Sequence, residues 1–167
     1  MKIFVSYSRR DSDVAKQIHE YFEDPEYDVF TDVNDIQIGD IWSNRLEENI
    51  SNCDIFVIII THASLRSFEV QKEVLQAQRE NKTIIPCIDE NVGLDEIKWG
   101  LEKIQGIRFE NSYKLSRDLY SRIKKTKRRG QFKKQDTYTQ PETKRKAFKK
   151  NQNILKQIFL IRKLNLA

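Results

Sequence analysis

Hydrophobic positions change period repeatedly along the first 124 residues. Residues 3–7, Ile-Phe-Val-Ser-Tyr, form a short apolar run that predicts a buried strand. Val14, Ile18 and Phe22 then recur at i, i+4 and i+8. That spacing predicts an amphipathic helix over 12–22, capped by Asp11 or Ser12 and stopped at Asp24-Pro25. Tyr27–Thr31 predicts a second strand, and a loop rich in Asp, Asn and Gly follows from Asp32 to Asp40. Trp42, Leu46 and Ile50 share one face of a helix over 42–51. Residues 55–60, Ile-Phe-Val-Ile-Ile-Ile, are apolar without alternation, which suits a central parallel strand buried on both faces. Val70, Val74 and Ala77 mark a helix over 67–80, and Ile84-Ile85-Pro86-Cys87-Ile88 a fourth strand. Pro86 has no amide donor, which predicts imperfect pairing or a place near a sheet edge. Residues 92–104 make a weaker helical segment interrupted at Gly100. Ile107-Arg108-Phe109 is the expected last strand, and Leu115, Leu119 and Ile123 give the closing helix over 113–124.

Strands alternating with helices imply a parallel sheet covered on both faces, with right-handed crossovers. The expected fold is α/β: a flavodoxin-like doubly wound sheet of about five strands in the order 2-1-3-4-5. Ligands of such sheets bind outside the carboxyl ends of strands 1 and 3. Those ends are Ser6–Arg10 and Thr61–Ser67.

Charge divides the chain in two. Residues 1–123 carry 15 Lys/Arg against 23 Asp/Glu, a net of −8. Residues 124–167 carry 15 Lys/Arg against Asp136 and Glu142, a net of +13. The overall +5 therefore describes an acidic body with a basic tail rather than a basic protein. With 167 residues, one domain is the natural expectation for the body. Two cysteines, Cys53 and Cys87, exclude a disulfide framework and a cysteine-based zinc site, and both are expected in the core. Two histidines, His19 and His62, are too few for a His-rich metal centre. No apolar stretch reaches the ~20 residues of a membrane span, and no signal sequence precedes the first strand. A soluble, reducing, cytoplasmic setting is expected.

Three groups of residues at the strand ends carry candidate chemistry. Glu73 lies about 60° from Val70 and about 100° from Val74 on a helical wheel, at the margin of the buried face. A carboxylate there is either partly desolvated beside the mouth of the sheet or an ordinary surface glutamate paired with Arg66 or Lys72. The loop Ser6-Tyr7-Ser8-Arg9-Arg10-Asp11 offers hydroxyls, a carboxylate and two guanidinium groups whose planar forks suit phosphate oxygens. Helix capping with solvated arginines explains the same residues. In the Asp32–Trp42 loop, Gly39 can supply a positive-φ turn and Asp40 a helix cap. Trp42 reads as core from its apolar i+4 and i+8 partners. No P-loop and no G-x-G-x-x-G occurs, and nothing pairs a cysteine with His62 as a nucleophile.

Together these segments resemble a TIR (Toll/interleukin-1 receptor) domain of the prokaryotic type. Ile3-Phe4-Val5-Ser6-Tyr7-Ser8 with Asp11 is similar to the family's first strand, and Tyr27-Asp28-Val29-Phe30-Thr31-Asp32 to its second. Ile38-Gly39-Asp40-Ile41-Trp42, continuing to Ile50 and Asp54, resembles the BB loop and the next helix. Ile58-Ile59-Ile60-Thr61 through Ser67-x-x-Val70-x-x-Glu73 resembles the third strand and the helix bearing the catalytic acid, and Ile84-Ile85-Pro86 the fourth strand. The resemblance covers residues 1–124.

TIR domains are of two kinds, assembly scaffolds and enzymes that cleave the nicotinamide–ribose bond of NAD+. The resemblance makes Glu73 the catalytic residue of an NAD+ glycohydrolase. The products are nicotinamide and ADP-ribose or a cyclic variant, in antiviral defence or stress signalling. It implies no metal or cofactor, with NAD+ as the substrate, and activation by self-association through TIR–TIR contacts. The alternative is a non-enzymatic scaffold. Substrate-binding residues follow from the same match: Tyr7, Ser8 and Arg9 from the first loop, Asp32 after the second strand, and Gly39, Asp40, Ile41 and Trp42 from the BB loop. Ser67, Phe68 and Glu69 follow from the start of the Glu73 helix. Many members carry an aromatic residue four positions before the glutamate. Here that position is Glu69, preceded by Phe68. Either a second acid one turn from Glu73 raises the pKa of one of them, or Glu69 faces solvent and Phe68 takes the stacking role.

The tail lies outside the resemblance. Residues 125–150 form a basic linker, disordered or a solvated helix, and 151–167 a short amphipathic helix. A partner protein, an anionic membrane, nucleic acid and the acidic body itself are its alternative contacts.

Overall fold

The computed structural model describes residues 1–31 and 42–128, without the side chains of 42–44 and 128. The chain divides into two units, Met1–Gln135 and Asp136–Ala167, and the whole sheet belongs to the first. Five parallel strands run in the order β2-β1-β3-β4-β5: β1 Lys2–Ser6, β2 Asp28–Phe30, β3 Ile55–Ile60, β4 Thr83–Asp89 and β5 Ile107–Phe109. The helices are α1 Ser12–Tyr21, α2 Trp42–Asn52, α3 Phe68–Arg79 and α4 Ser112–Arg128. This is the doubly wound arrangement that the hydrophobic pattern predicts, with its reversal of direction between β1 and β3.

The period of two along the strands sorts the core into two layers. Ile55, Val57 and Ile59 face α1 and α4, with Ile3, Val5, Ile18, Leu115, Leu119 and Ile123. Phe56, Ile58 and Ile60 face α2 and α3, with Phe4, Ile50, Val70, Val74 and Ala77. Every residue of β3 is buried, as a run without alternation requires. Phe4 stacks on Phe56 at 5.4 Å and on Phe30 at 5.5 Å between ring centroids, tying β2, β1 and β3 together on the α3 side.

Differences from the expected elements have local causes. Residues 92–104 hold two 3-10 turns, Leu94–Glu96 and Leu101–Lys103, instead of one helix. Gly100 between them takes φ 79°, which ends any continuous helix. Strand β4 meets the expectation from Pro86: it lies next to the edge strand β5, with which it pairs only in part. Pro86 pairs opposite Ile58 on β3, while β5 pairs only from Cys87 onward, so the missing amide falls where β5 has not begun. Gly106 makes that corner: a Cβ there would lie 2.7 Å from the Pro86 carbonyl oxygen. Helix α4 runs on to Arg128, so the first residues of the basic segment are helical. The rest of that segment, including the expected helix over 151–167, lies outside the described residues.

Candidate active site at the sheet's switch point

The carboxyl ends of β1 and β3 deliver the candidate chemistry to one place. Ser6 is the last residue of β1, paired opposite Ile58, and shares the parity of Phe4, so its side chain faces α3. Its hydroxyl donates to Glu73 Oε2 at 2.6 Å. Ser6 is 1% exposed and Glu73 is half-buried in the second turn of α3. The carboxylate therefore lies over the switch point, as its position on the helical wheel predicts.

A second bond closes the same gap. Thr61, just past β3, donates its hydroxyl to Asp11 Oδ2 at 2.8 Å. Thr61 Oγ1 in turn accepts the backbone N–H groups of Ala63 and Ser64, both at 3.1 Å. Thr61 thus joins the turn that leads into α3 to the loop after β1. Burial raises the Asp11 carboxyl above its ordinary value; the Thr61 bond opposes this and the like charge of Asp89 adds to it. Asp11 precedes α1 but makes no side-chain cap, contrary to one expectation, because its carboxylate is engaged by Thr61. The cap in this loop is Ser8, whose Oγ accepts from the Arg10 N–H and opens the turn Arg9–Asp11.

The rim is built from the start of α3 and from Arg9. Ser67 is the N-cap, accepting the Val70 N–H, and it donates to Glu69 Oε2 at 3.1 Å. Glu69's own backbone N–H and the Ser67 hydroxyl hold its carboxyl below the ordinary value, helped by the positive charges of Lys72 and Arg9. Glu69 is therefore lowered, not raised, by its place at a helix N-terminus. Phe68 is 48% exposed, with the Lys72 ammonium 4.6 Å from its ring centroid.

Of the residues expected at the site, Ser8, Arg9, Ser67, Phe68, Glu69 and Glu73 lie on the two segments that meet at the switch point. Tyr7 is buried and follows the opposite parity, in the core layer of α1 and α4. Asp32, Gly39, Asp40 and Ile41 lie outside the described residues, and Trp42 opens α2 with its side chain likewise outside them. Sequence reasoning placed Ser6 in the loop of candidate hydroxyls and Thr61 at the end of β3, but gave neither of them a partner or a role. The signal was present for Ser6: even-numbered residues of β1 face the same layer as the helix that carries Glu73.

Other reactive groups stand apart. Burial pushes the thiols of Cys53 and Cys87 up to about 11 and about 12, so neither is a nucleophile at neutral pH. His62 lies 3.3 Å from Glu96, which pins the strand-end loop to the turn Leu94–Glu96. Among the described residues no group of three or more His, Cys, Asp or Glu is placed to hold a metal, and no helix is long and apolar enough to cross a membrane.

A five-stranded 2-1-3-4-5 sheet with a carboxylate held at its switch point defines a flavodoxin-like α/β domain. The TIR domain family profile matches residues 3–123, and the chain belongs to that family. Among solved structures it is similar to the TIR domain of the Toll-related receptor TRR-2 from Hydra magnipapillata. That match has a TM-score of 0.60 at 13% identity, covering 73% of this chain and 97% of that one. It is also similar to a CMP N-glycosidase, BcmB, from Clostridium botulinum, with a TM-score of 0.53 at 13% identity, covering 72% and 99%. A third is a metazoan TIR-STING receptor from C. gigas, solved in complex with 2',3'-cGAMP. Its TM-score is 0.62 at 23% identity, covering 72% of this chain and 38% of the receptor. At these identities the likeness is one of fold. No curated protein matches the sequence.

Proposed function

We propose that this TIR domain is an NAD+ glycohydrolase in which Glu73 is the catalytic residue. The observation that carries the reading is the Glu73 carboxylate held at 2.6 Å by a buried hydroxyl over the sheet's ligand-binding edge. Breaking a C–N glycosidic bond passes through an oxocarbenium-like state. A fixed carboxylate at that edge orients the ribose hydroxyls and stabilises positive charge on the ring. As the ribose–nicotinamide bond breaks, its electron pair leaves with nicotinamide, which departs neutral. Water then adds to the ribose carbon and releases a proton to solvent, giving ADP-ribose. Attack by an atom of the same dinucleotide gives a cyclic product. Neither route calls for a metal or cofactor, since NAD+ is itself the substrate.

Nicotinamide in NAD+ is already cationic and leaves without taking a proton, so one carboxylate, Glu73, suffices for its cleavage. The fold shared with a CMP N-glycosidase supports N-glycosidic chemistry on this scaffold and makes CMP the natural control substrate. Arg9 and the exposed Phe68 offer a phosphate contact and a stacking face. Self-association through TIR–TIR contacts, a cytoplasmic setting and a role in defence complete the proposal.

The test is incubation of the full chain with NAD+, and separately with CMP, followed by chromatography. Nicotinamide with ADP-ribose or a cyclic product is expected from NAD+, with specific activity rising with protein concentration. Glu73→Ala and Glu73→Gln should each lose about 100-fold or more at matched concentration. Unchanged turnover in either variant excludes Glu73 as the catalytic group. Intact NAD+ in a chain that self-associates points instead to a scaffold.

A further inference from the structure

We infer that Ser6 is a positioning residue for Glu73, and that the end of β1 is part of the catalytic apparatus through this one hydroxyl. The inference rests on the NAD+ glycohydrolase reading and deepens it. The packing around Ser6 gives no reason of its own for a hydroxyl. Its core layer is apolar, lined by Phe4, Phe56, Ile58, Ile60, Val70 and Val74. An alanine would keep the backbone pairing with Ile58 and expose nothing, because Ser6 is 1% accessible. A buried hydroxyl without a partner is costly, so its orientation is fixed by the acceptor it finds. That acceptor is Glu73 Oε2 at 2.6 Å, a charge-assisted bond at the short end of the usual range.

The geometry gives the bond a specific consequence. Glu73 is half-buried beside the apolar core positions Val70, Val74 and Ala77 of its helix, and a long carboxylate side chain there has several rotamers that lead to water. The Ser6 donor selects the rotamer that stays over the switch point. Strand β1 lies in the middle of the sheet, held by β2 and β3, so the donor itself is rigid. The Thr61–Asp11 bond fixes the spacing between the loop after β1 and the turn into α3, which keeps donor and acceptor in range. A preorganised carboxylate costs no reorganisation when positive charge develops on the ribose, so the gain falls on kcat and not on substrate binding.

The experiment compares full-length wild type, Ser6→Ala and Ser6→Thr for NAD+ kinetics and thermal unfolding at matched protein concentration. Ser6→Ala is expected to lower kcat about 10- to 100-fold with KM within about twofold, and to lower the unfolding midpoint by no more than about the few degrees that one lost hydrogen bond costs. Ser6→Thr keeps the hydroxyl and is expected to retain kcat within about threefold. A kcat for Ser6→Ala within about twofold of wild type overturns the inference. So does an equal kcat loss in Ser6→Thr accompanied by an unfolding midpoint lowered by more than that in both, which is the mark of a packing role alone. Should the wild type leave NAD+ intact, the glycohydrolase reading falls and takes this inference with it. Active wild type with indifferent Ser6 variants overturns this inference only.

Discussion

Glu69 and Glu73 stand one helical turn apart on α3, yet they do different work. Glu69 spends its charge on Ser67, its own N–H and the cations Arg9 and Lys72 at the helix start. Glu73 meets the sheet through Ser6. Phe68, the first residue of the same helix, keeps half its surface in solvent, so its ring adds little to folding. Phe68→Ala should leave the unfolding free energy within about 0.5 kcal/mol of wild type. If the ring stacks on the substrate, KM for NAD+ should rise about three- to tenfold, measured by initial rates. Asp11 gives a prediction in pH. Its carboxyl is raised above the ordinary 3.8 by burial, so the folded state holds the proton more tightly than the unfolded one. The stability this contributes is fully present below the unfolded value and is lost as pH rises through the folded value. Asp11→Asn, which still offers Thr61 an acceptor, should therefore unfold at a higher temperature than wild type at pH 7. That advantage should vanish as the pH falls toward 3, by thermal melts across the range.

Elements placed these residues, and most elements were legible. Strand β3 declared itself by six consecutive apolar residues, and burial of all six on two faces is the physical meaning of that run. Truncating its centre should be severe: Ile59→Ala is expected to cost about 2–5 kcal/mol in denaturant unfolding. Helix α3 was readable from Val70, Val74 and Ala77, and that reading put Glu73 at the margin where the structure finds it. The segment 92–104 misled because its apolar spacing resembles a helix while Gly100 in the left-handed region breaks it. Ties between elements were not legible. Thr61 looks like a generic residue after a strand, but it accepts two backbone N–H groups and donates to Asp11, 50 positions earlier. Thr61→Val keeps the shape and removes all three bonds. It should destabilise the fold by about 1–3 kcal/mol and lower NAD+ turnover, because the loop after β1 and the turn into α3 lose their common anchor.

At the scale of the whole molecule, the charge boundary falls where the described core ends. Among the described residues the last core positions of α4 are Leu115, Leu119 and Ile123, and the basic run starts at Lys124. Residues 1–128 carry a net −4 against +5 for the full chain. A chain ended after Arg128 should keep a cooperative unfolding transition, and at pH 7 it should bind an anion exchanger where the full chain binds a cation exchanger. Loss of the transition on truncation would show that residues 129–167 are needed for folding.

The sequence by itself determined the order of elements, the strand order, the family resemblance and the position of Glu73 at a helix margin. All of these depend on local periodicity and on short motifs, which a chain carries wherever it folds. Only the tertiary structure decided that Ser6 is the donor to Glu73 and that Asp11 serves Thr61 instead of capping α1. Those facts depend on distances between residues tens of positions apart. Such distances exist only once a central strand, buried on both faces, has brought the ends of β1 and β3 side by side.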